Sequence, residues 1–208
     1  CRIMKVSSAS FRALLESEFG ISTAEPGSAL PASDAVIFAI KPQQFRAVAE
    51  AIRPTLGNAL VISVAAGIRA ETLTQWLAPQ SRIVRVMPNT PALIQSGMSG
   101  AYAAPQVTAA DRELTERILS AIGEFVWVDE ESDMDGITAI SGSGPAYVFY
   151  FMEALQAAAR AQGFTPDVAK KLAYQTFAGA IELAQSSEDD IATLRTKVTS
   201  KGGTTERA

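Results

Sequence analysis

Residues 35–40, Ala-Val-Ile-Phe-Ala-Ile, are apolar without a break, and residues 60–64, Leu-Val-Ile-Ser-Val, nearly repeat the run. A strand with one face in water alternates polar and apolar residues. A strand with no alternation has to be covered on both faces, as in the centre of a parallel sheet. Parallel neighbours need crossover connections, usually helices. Residues 43–52 read as such a helix, stopped by Pro54, and residues 71–77 as another. Residues 82–86 continue the strand pattern. Further strands at 98–103 and 125–128 flank a helix at 109–122 that Thr108 caps. At the start, residues 2–6 end a strand and residues 10–19 form an amphipathic helix that stops at Gly20.

Past residue 130 the strand signals cease. Residues 143–162, 166–184 and 188–199 read as helices rich in Ala and Leu. Thr165-Pro166 supplies a cap and a proline at the first helical position, and Ser187 with Asp190 resembles a capping box. The expected organisation is a parallel-sheet α/β domain over residues 1–130 and an all-helical domain over 131–208.

Composition narrows the function. Apolar residues make up 48% of the 208 and charged ones 19%, the balance of a globular chain. A net charge of −4 argues against nucleic-acid binding through a broad basic face. The longest apolar run, 145–152, is too short to cross a bilayer. Cys1 stands alone, so no internal disulfide forms and a reducing cytoplasm is the simplest setting. With no histidine, imidazole bases and His metal ligands are excluded.

Ligands of open parallel sheets sit beyond the carboxyl ends of the strands. Those ends are Lys41-Pro42-Gln43, Ala65-Ala66-Gly67 and Met87-Pro88-Asn89-Thr90-Pro91. Each combines small residues or proline with at most one cation or amide, which lets backbone approach a flat ring or a pyrophosphate. One such turn is ordinary, and three in succession favour a nucleotide. The glycine-rich dinucleotide fingerprint is absent, so either the fold differs or a preceding segment carries it. The first strand ends in Val6-Ser7-Ser8-Ala9-Ser10, with Arg12 close behind and no acid. Hydroxyls and a cation suit a 2′-phosphate and so NADP(H). Alternatively, Ser8 or Ser10 only caps the next helix. Gly142 and Gly144 permit either close helix packing or close approach to a cofactor.

Five motifs, "AIKPQ" (39–43), "SVAAGI" (63–68), "RVMPNTPA" (85–92), "SGSGPAY" (141–147) and "VTSKGGTT" (198–205), resemble in order and spacing the pyrroline-5-carboxylate reductases. The resemblance spans essentially the whole chain. It implies an N-terminal Rossmann domain and a C-terminal helical domain that interlocks with a second copy, the dimers often joining into larger rings. It also implies reduction of the cyclic imine 1-pyrroline-5-carboxylate to L-proline, with NADPH or NADH as hydride donor. Family members open with a strand and a Gly-rich loop and continue past the GGTT motif, so the chain reads as incomplete at both ends. Many carry Pro where this chain has Lys201.

By motif, Ala39, Ile40, Lys41, Pro42, Val64, Ala65 and Ala66 would line the cofactor. Ser8 would meet the adenosine ribose or its phosphate, and Lys197 a partner's cofactor. Gly203, Thr204 and Thr205 would hold the substrate, with Glu131 nearby. A threonine hydroxyl can hydrogen-bond the imine nitrogen, and the proton comes from Thr205 or water. The alternatives are a non-catalytic NADP(H)-binding redox sensor or assembly protein, and a 3-hydroxyacid dehydrogenase. The latter requires a catalytic Lys after the glycine-rich helix start, where this chain has Val148 and no Lys over 143–162.

Overall fold

The computed structural model describes residues 2–4, 8–25, 28–29, 31–78 and 81–207. Its first elements are β1 (Arg2–Met4), α1 (Ala9–Phe19), β2 (Ser22–Ala24), β3 (Ala35–Phe38), α2 (Pro42–Ile52) and β4 (Leu60–Ser63). Next come α3 (Ala70–Trp76), β5 (Ile83–Met87), β6 (Gly97–Ala103), α4 (Ala109–Ser120), β7 (Gly123–Val128) and α5 (Asp133–Ile137). A π-helical turn, Thr138–Gly142, follows, and then α6 (Gly144–Ala161), α7 (Pro166–Ser186), α8 (Ile191–Lys197) and α9 (Thr204–Arg207). The chain forms two compact units, Cys1–Pro145 and Ala146–Ala208.

In the first unit one sheet runs β3-β4-β5-β6-β7, and β1-β2 form a separate parallel pair. The β3–β4, β4–β5 and β6–β7 pairings are parallel, as strands alternating with helices predict. The expectation that 35–40 forms a central strand needs correction: β3 is the edge of this sheet among the described residues, with Ile37 50% exposed, whereas β4 is central and buried throughout. The β5–β6 pairing is antiparallel. Only residues 88–96 separate those two strands, too few for a crossover helix, so the chain turns back on itself. Both sheet faces are covered. Val61 and Ile83 point into one cluster with Phe45, Leu73 and Leu77. Leu60, Ile62, Val84 and Val86 point into the other with Leu119.

Strand β2 is absent from the sequence reading, because three residues, Ser-Thr-Ala, carry no apolar period. It exists through its partners. Arg2, Ile3 and Met4 pair with Ser22, Thr23 and Ala24. From α1, the Glu16 carboxylate accepts from the Thr23 hydroxyl (2.6 Å) and from its N–H (2.9 Å). Those two bonds, the hydroxyl's first, hold Glu16 below the usual carboxylate range. Ser8 caps α1 by accepting from Phe11 N–H, and Gly20 ends it in the left-handed region at φ 59°. The expected strand extends to Val6, which lies outside the described residues.

Thr108 caps α4 as expected, and Asp111 completes the box by accepting from the Thr108 N–H (2.9 Å) and hydroxyl (2.7 Å). Arg82, at the entry to β5, pairs with the same carboxylate at 2.6 Å.

The second unit holds almost no core of its own. Among its described residues only Ala169 and Ala173 are buried apolar positions. Phe149, Tyr150, Phe151, Tyr174 and Leu183 of α6 and α7 are all more than 45% exposed. Thr165 caps α7 with Pro166 at its first position. The expected helix at 188–199 needs correction. It starts at Ile191 under an Asp190 cap, whose carboxylate accepts from Thr193 N–H at 2.7 Å. Ser187 instead accepts from Asp189 N–H at 3.1 Å, so it closes a turn and caps nothing.

Candidate active site

Parallel register brings the predicted cofactor residues to one edge. Phe38 lies opposite Ser63, and Ser63 opposite Arg85, so β3 and β4 end level and β5 runs two residues further, to Met87. Past those ends come Ala39, Ile40, Lys41 and Pro42 from the first strand and Val64, Ala65 and Ala66 from the second. Val64 N–H donates back to Phe38 O (3.2 Å), which fixes the second turn against the first. Ala66 is exposed, and Gly67 has φ +73°, a conformation that excludes most side chains.

Lys41 occupies the N-cap of the 11-residue α2 in extended backbone, its side chain making no cap bond, and Pro42 begins the helix. Pro42 has no N–H and the Gln44 N–H donates to Lys41 O (2.9 Å), so the positive end of the helix and the exposed Lys41 ammonium, more than a row of open amides, suit an anion. The residues present therefore fit the phosphates of a dinucleotide. Ser8 has a local role as well: its Oγ caps α1 and lies 2.6 Å from Ser10 Oγ.

The third turn is held by a ring of hydrogen bonds. Asn89 Oδ1 accepts from Met98 N–H (2.9 Å), and Asn89 Nδ2 donates to Ser141 O (3.3 Å) and Oγ (3.4 Å). Ser141 Oγ donates to Met98 O (3.0 Å) and closes the ring. Ser141 belongs to the π-helical turn, a geometry frequent at functional sites. Beside it, a Cβ on Gly142 would stand 2.8 Å from Met87 Cε, whereas Gly144 has open space around it. Packing at Gly142 is against the flexible end of Met87, which can shift, and Gly144 meets nothing, so neither glycine is demanded by packing.

Glu131 is no free member of an acidic face. Its Oε1 accepts from Ala70 N–H (2.6 Å), the first amide of α3, and pairs with Arg85 Nη1 (2.7 Å). Arg85 projects from the middle of the sheet with its side chain only 9% exposed, so it requires a counter-charge. The two line a cavity of about 260 Å³ with Gly67, Arg69, Ser132 and Asp135. The sequence reading quoted Arg85 inside a motif and assigned it nothing. The available signal was a lone cation within the apolar strand Ile-Val-Arg-Val-Met.

In the second unit the glycine motif lies between two helices. Helix α8 ends at Lys197, ahead of the glycines, and α9 is a single turn starting at Thr204. The amides of both glycines are in use. Gly203 N–H donates to Ser200 O (2.9 Å), and Gly202 N–H to the Glu206 carboxylate. Gly202 has φ +75°, which favours glycine, and a Cβ on Gly203 would sit tightly at 3.0 Å from Ser200 O. Thr204 and Thr205 are exposed, and the Lys197 ammonium pairs with Asp189.

Comparison with known proteins places these features. Residues 131–208 match the family model described as pyrroline-5-carboxylate reductase dimerisation, and residues 2–67 match NADP oxidoreductase coenzyme F420-dependent. The chain is 44% identical to a Pseudomonas aeruginosa pyrroline-5-carboxylate reductase, covering 95% of this chain and 73% of that one. It is 43% identical to the Vibrio alginolyticus enzyme, with 93% and 72% covered. The solved Coxiella burnetii pyrroline-5-carboxylate reductase superposes with TM-score 0.90 at 39% identity, over 99% of this chain and 77% of that one. The Plasmodium falciparum enzyme, solved with NADP bound, gives 0.86 at 28%, over 99% and 76%.

Proposed function

The chain belongs to the pyrroline-5-carboxylate reductase family, and from that premise we propose how its residues divide the work of reducing 1-pyrroline-5-carboxylate to L-proline, the last step of proline biosynthesis. The reaction adds a hydride to the imine carbon and a proton to the ring nitrogen. When bound, the reduced nicotinamide of NAD(P)H supplies the hydride. A protonated imine already accepts hydride well, so the protein's task is mainly to position the reactants. That task suits a chain without histidine.

The observation behind the cofactor assignment is the level ending of β3 and β4 beside β5, with small or prolyl residues in each turn. Ala39, Ile40, Val64, Ala65 and Ala66 give the cofactor a surface of backbone and small side chains. Lys41 and the first turn of α2, opened by Pro42, neutralise phosphate. Ser8 stands toward the adenosine ribose, a role compatible with capping through one lone pair. Lys197 reaches a cofactor only by leaving Asp189.

For the substrate, Thr205 donates to or accepts from the ring nitrogen, Thr204 holds the carboxylate side, and Gly203, with no side chain, leaves the carboxylate room against the backbone. Because the amides of Gly202 and Gly203 are already bonded, the threonine hydroxyls and their own N–H groups are the donors left for it. Within the first unit, Glu131 holds Arg85 in place.

The protein is a homodimer through its dimerisation region, which accounts for a helical unit with so much apolar surface exposed. A ring of such dimers is the larger assembly we propose. Among the described residues no helix is long and apolar enough to cross a membrane. The single cysteine supports a cytoplasmic setting. Imine-dependent oxidation of NADPH by the intact protein tests the activity, and sedimentation at micromolar concentration tests the assembly. An active monomer would overturn the dimer, and cofactor binding without turnover would leave a non-catalytic binding protein.

A further inference from the structure

Arg12 and Glu25 meet where β1 and β2 end. The sequence around the end of β1 contains no acid, but β2 runs parallel beside it with Ala24 paired to Met4, and Glu25 follows at once. Arg12 Nη2 donates to Glu25 Oε1 at 2.8 Å. One helical turn further along α1, Glu16 bonds Thr23. Four residues along a helix span about 6 Å and two along a strand about 6.7 Å, so both pairs form together. The Arg12–Glu25 pair is therefore built into the docking of α1 on β2. It is also lopsided: the Arg12 side chain is 19% exposed and that of Glu25 is 74% exposed. The cation is held in place, and the carboxylate can swing away.

We propose that Glu25 sets how strongly this protein distinguishes NADPH from NADH. The inference rests on the cofactor reading above, in which the adenosine ribose lies at the end of β1 beside Ser8. A 2′-phosphate is an anion that competes with Glu25 for Arg12, and it wins because an exposed carboxylate gains little from an ion pair. A 2′-hydroxyl has no charge with which to draw Arg12 away, and Glu25 turns from the neighbouring strand end to accept a hydrogen bond from it, the part that an acid at the end of the first strand plays in NAD-specific sites. The pair thus moderates the preference that Ser8 and Arg12 alone would impose.

Equilibrium titration of the intact protein with NADPH and with NADH, read by cofactor fluorescence, tests this without turnover. Glu25→Gln tightens NADPH and weakens NADH, raising the ratio of the two Kd values about fivefold, the upper range for an exposed pair. Arg12→Gln lowers the ratio. High salt, which screens an exposed ion pair, brings Glu25→Gln and the wild type closer together. If the wild type binds both cofactors and Glu25→Gln leaves the ratio unchanged, the inference is wrong while the cofactor reading stands. If the wild type binds neither, both fall together.

Discussion

Asn89 and Ser141 lie fifty-two positions apart in sequence, and the Asn89 carboxamide donates to both the carbonyl and the hydroxyl of Ser141. With Met98 they join the end of β5, the start of β6 and the π-helical turn. These are the segments that carry the third strand-end turn and the glycine-rich motif.

A double-mutant cycle measures that ring. Asn89→Ala and Ser141→Ala each remove hydrogen bonds, and the pair is expected to show a coupling of about 0.5–1.5 kcal/mol in chemical denaturation. The remaining partner in either single variant loses its bond, so the double variant costs less than the sum. Strict additivity would mean the ring contributes nothing as a unit.

Removing the charge of Glu131 while keeping its shape separates two roles. Glu131→Gln leaves the nearly buried Arg85 without a counter-ion. The loss is expected to be about 2–3 kcal/mol, below the value for a fully buried pair because Glu131 is 24% exposed. If instead stability holds and only the KM for the imine rises, Glu131 is a substrate ligand and the ion pair is incidental.

Asp111 couples stability to pH. Burial by itself raises its carboxyl, but the hydroxyl and N–H of Thr108, together with Arg82, outweigh burial and hold it below the ordinary range. A folded-state value below the unfolded one contributes stability above the unfolded value, and acid removes that contribution as pH falls through the folded value. Melting temperatures of the wild type and Asp111→Asn are therefore expected to differ at neutral pH and to converge on acidification. A gap that stays constant with pH would contradict the linkage.

Thr205→Val keeps the shape of the exposed side chain and deletes its hydroxyl. The expected loss is about 1–2 kcal/mol in kcat/KM, roughly five- to thirtyfold, with cofactor affinity and melting temperature unchanged. Lowered stability with intact kinetics would reduce the motif to a tight turn between α8 and α9.

What the sequence by itself determined is whatever depends on neighbours along the chain. Unbroken apolar runs specified parallel strands, and the run at 60–64 is central and buried along β4, because a two-faced burial requirement is written into each residue in turn; the run at 35–40 instead forms the edge strand β3, with Ile37 half exposed. Thr108, Thr165 and Gly20 marked helix ends, since capping involves a side chain and backbone three or four residues away. Motif order named the family. The tertiary structure decided what depends on residues far apart. Strand β2 has no pattern of its own and forms only against β1. The direction of β6 followed from a short connection, and Arg85 acquired its meaning from Glu131, forty-six positions on. Asp190 displaced Ser187 as a cap because both offer the same chemistry and only the path of the chain chooses between them. Glu25 supplied the acid that the first strand end lacks, because parallel pairing sets two chain ends side by side and sequence distance carries no trace of that.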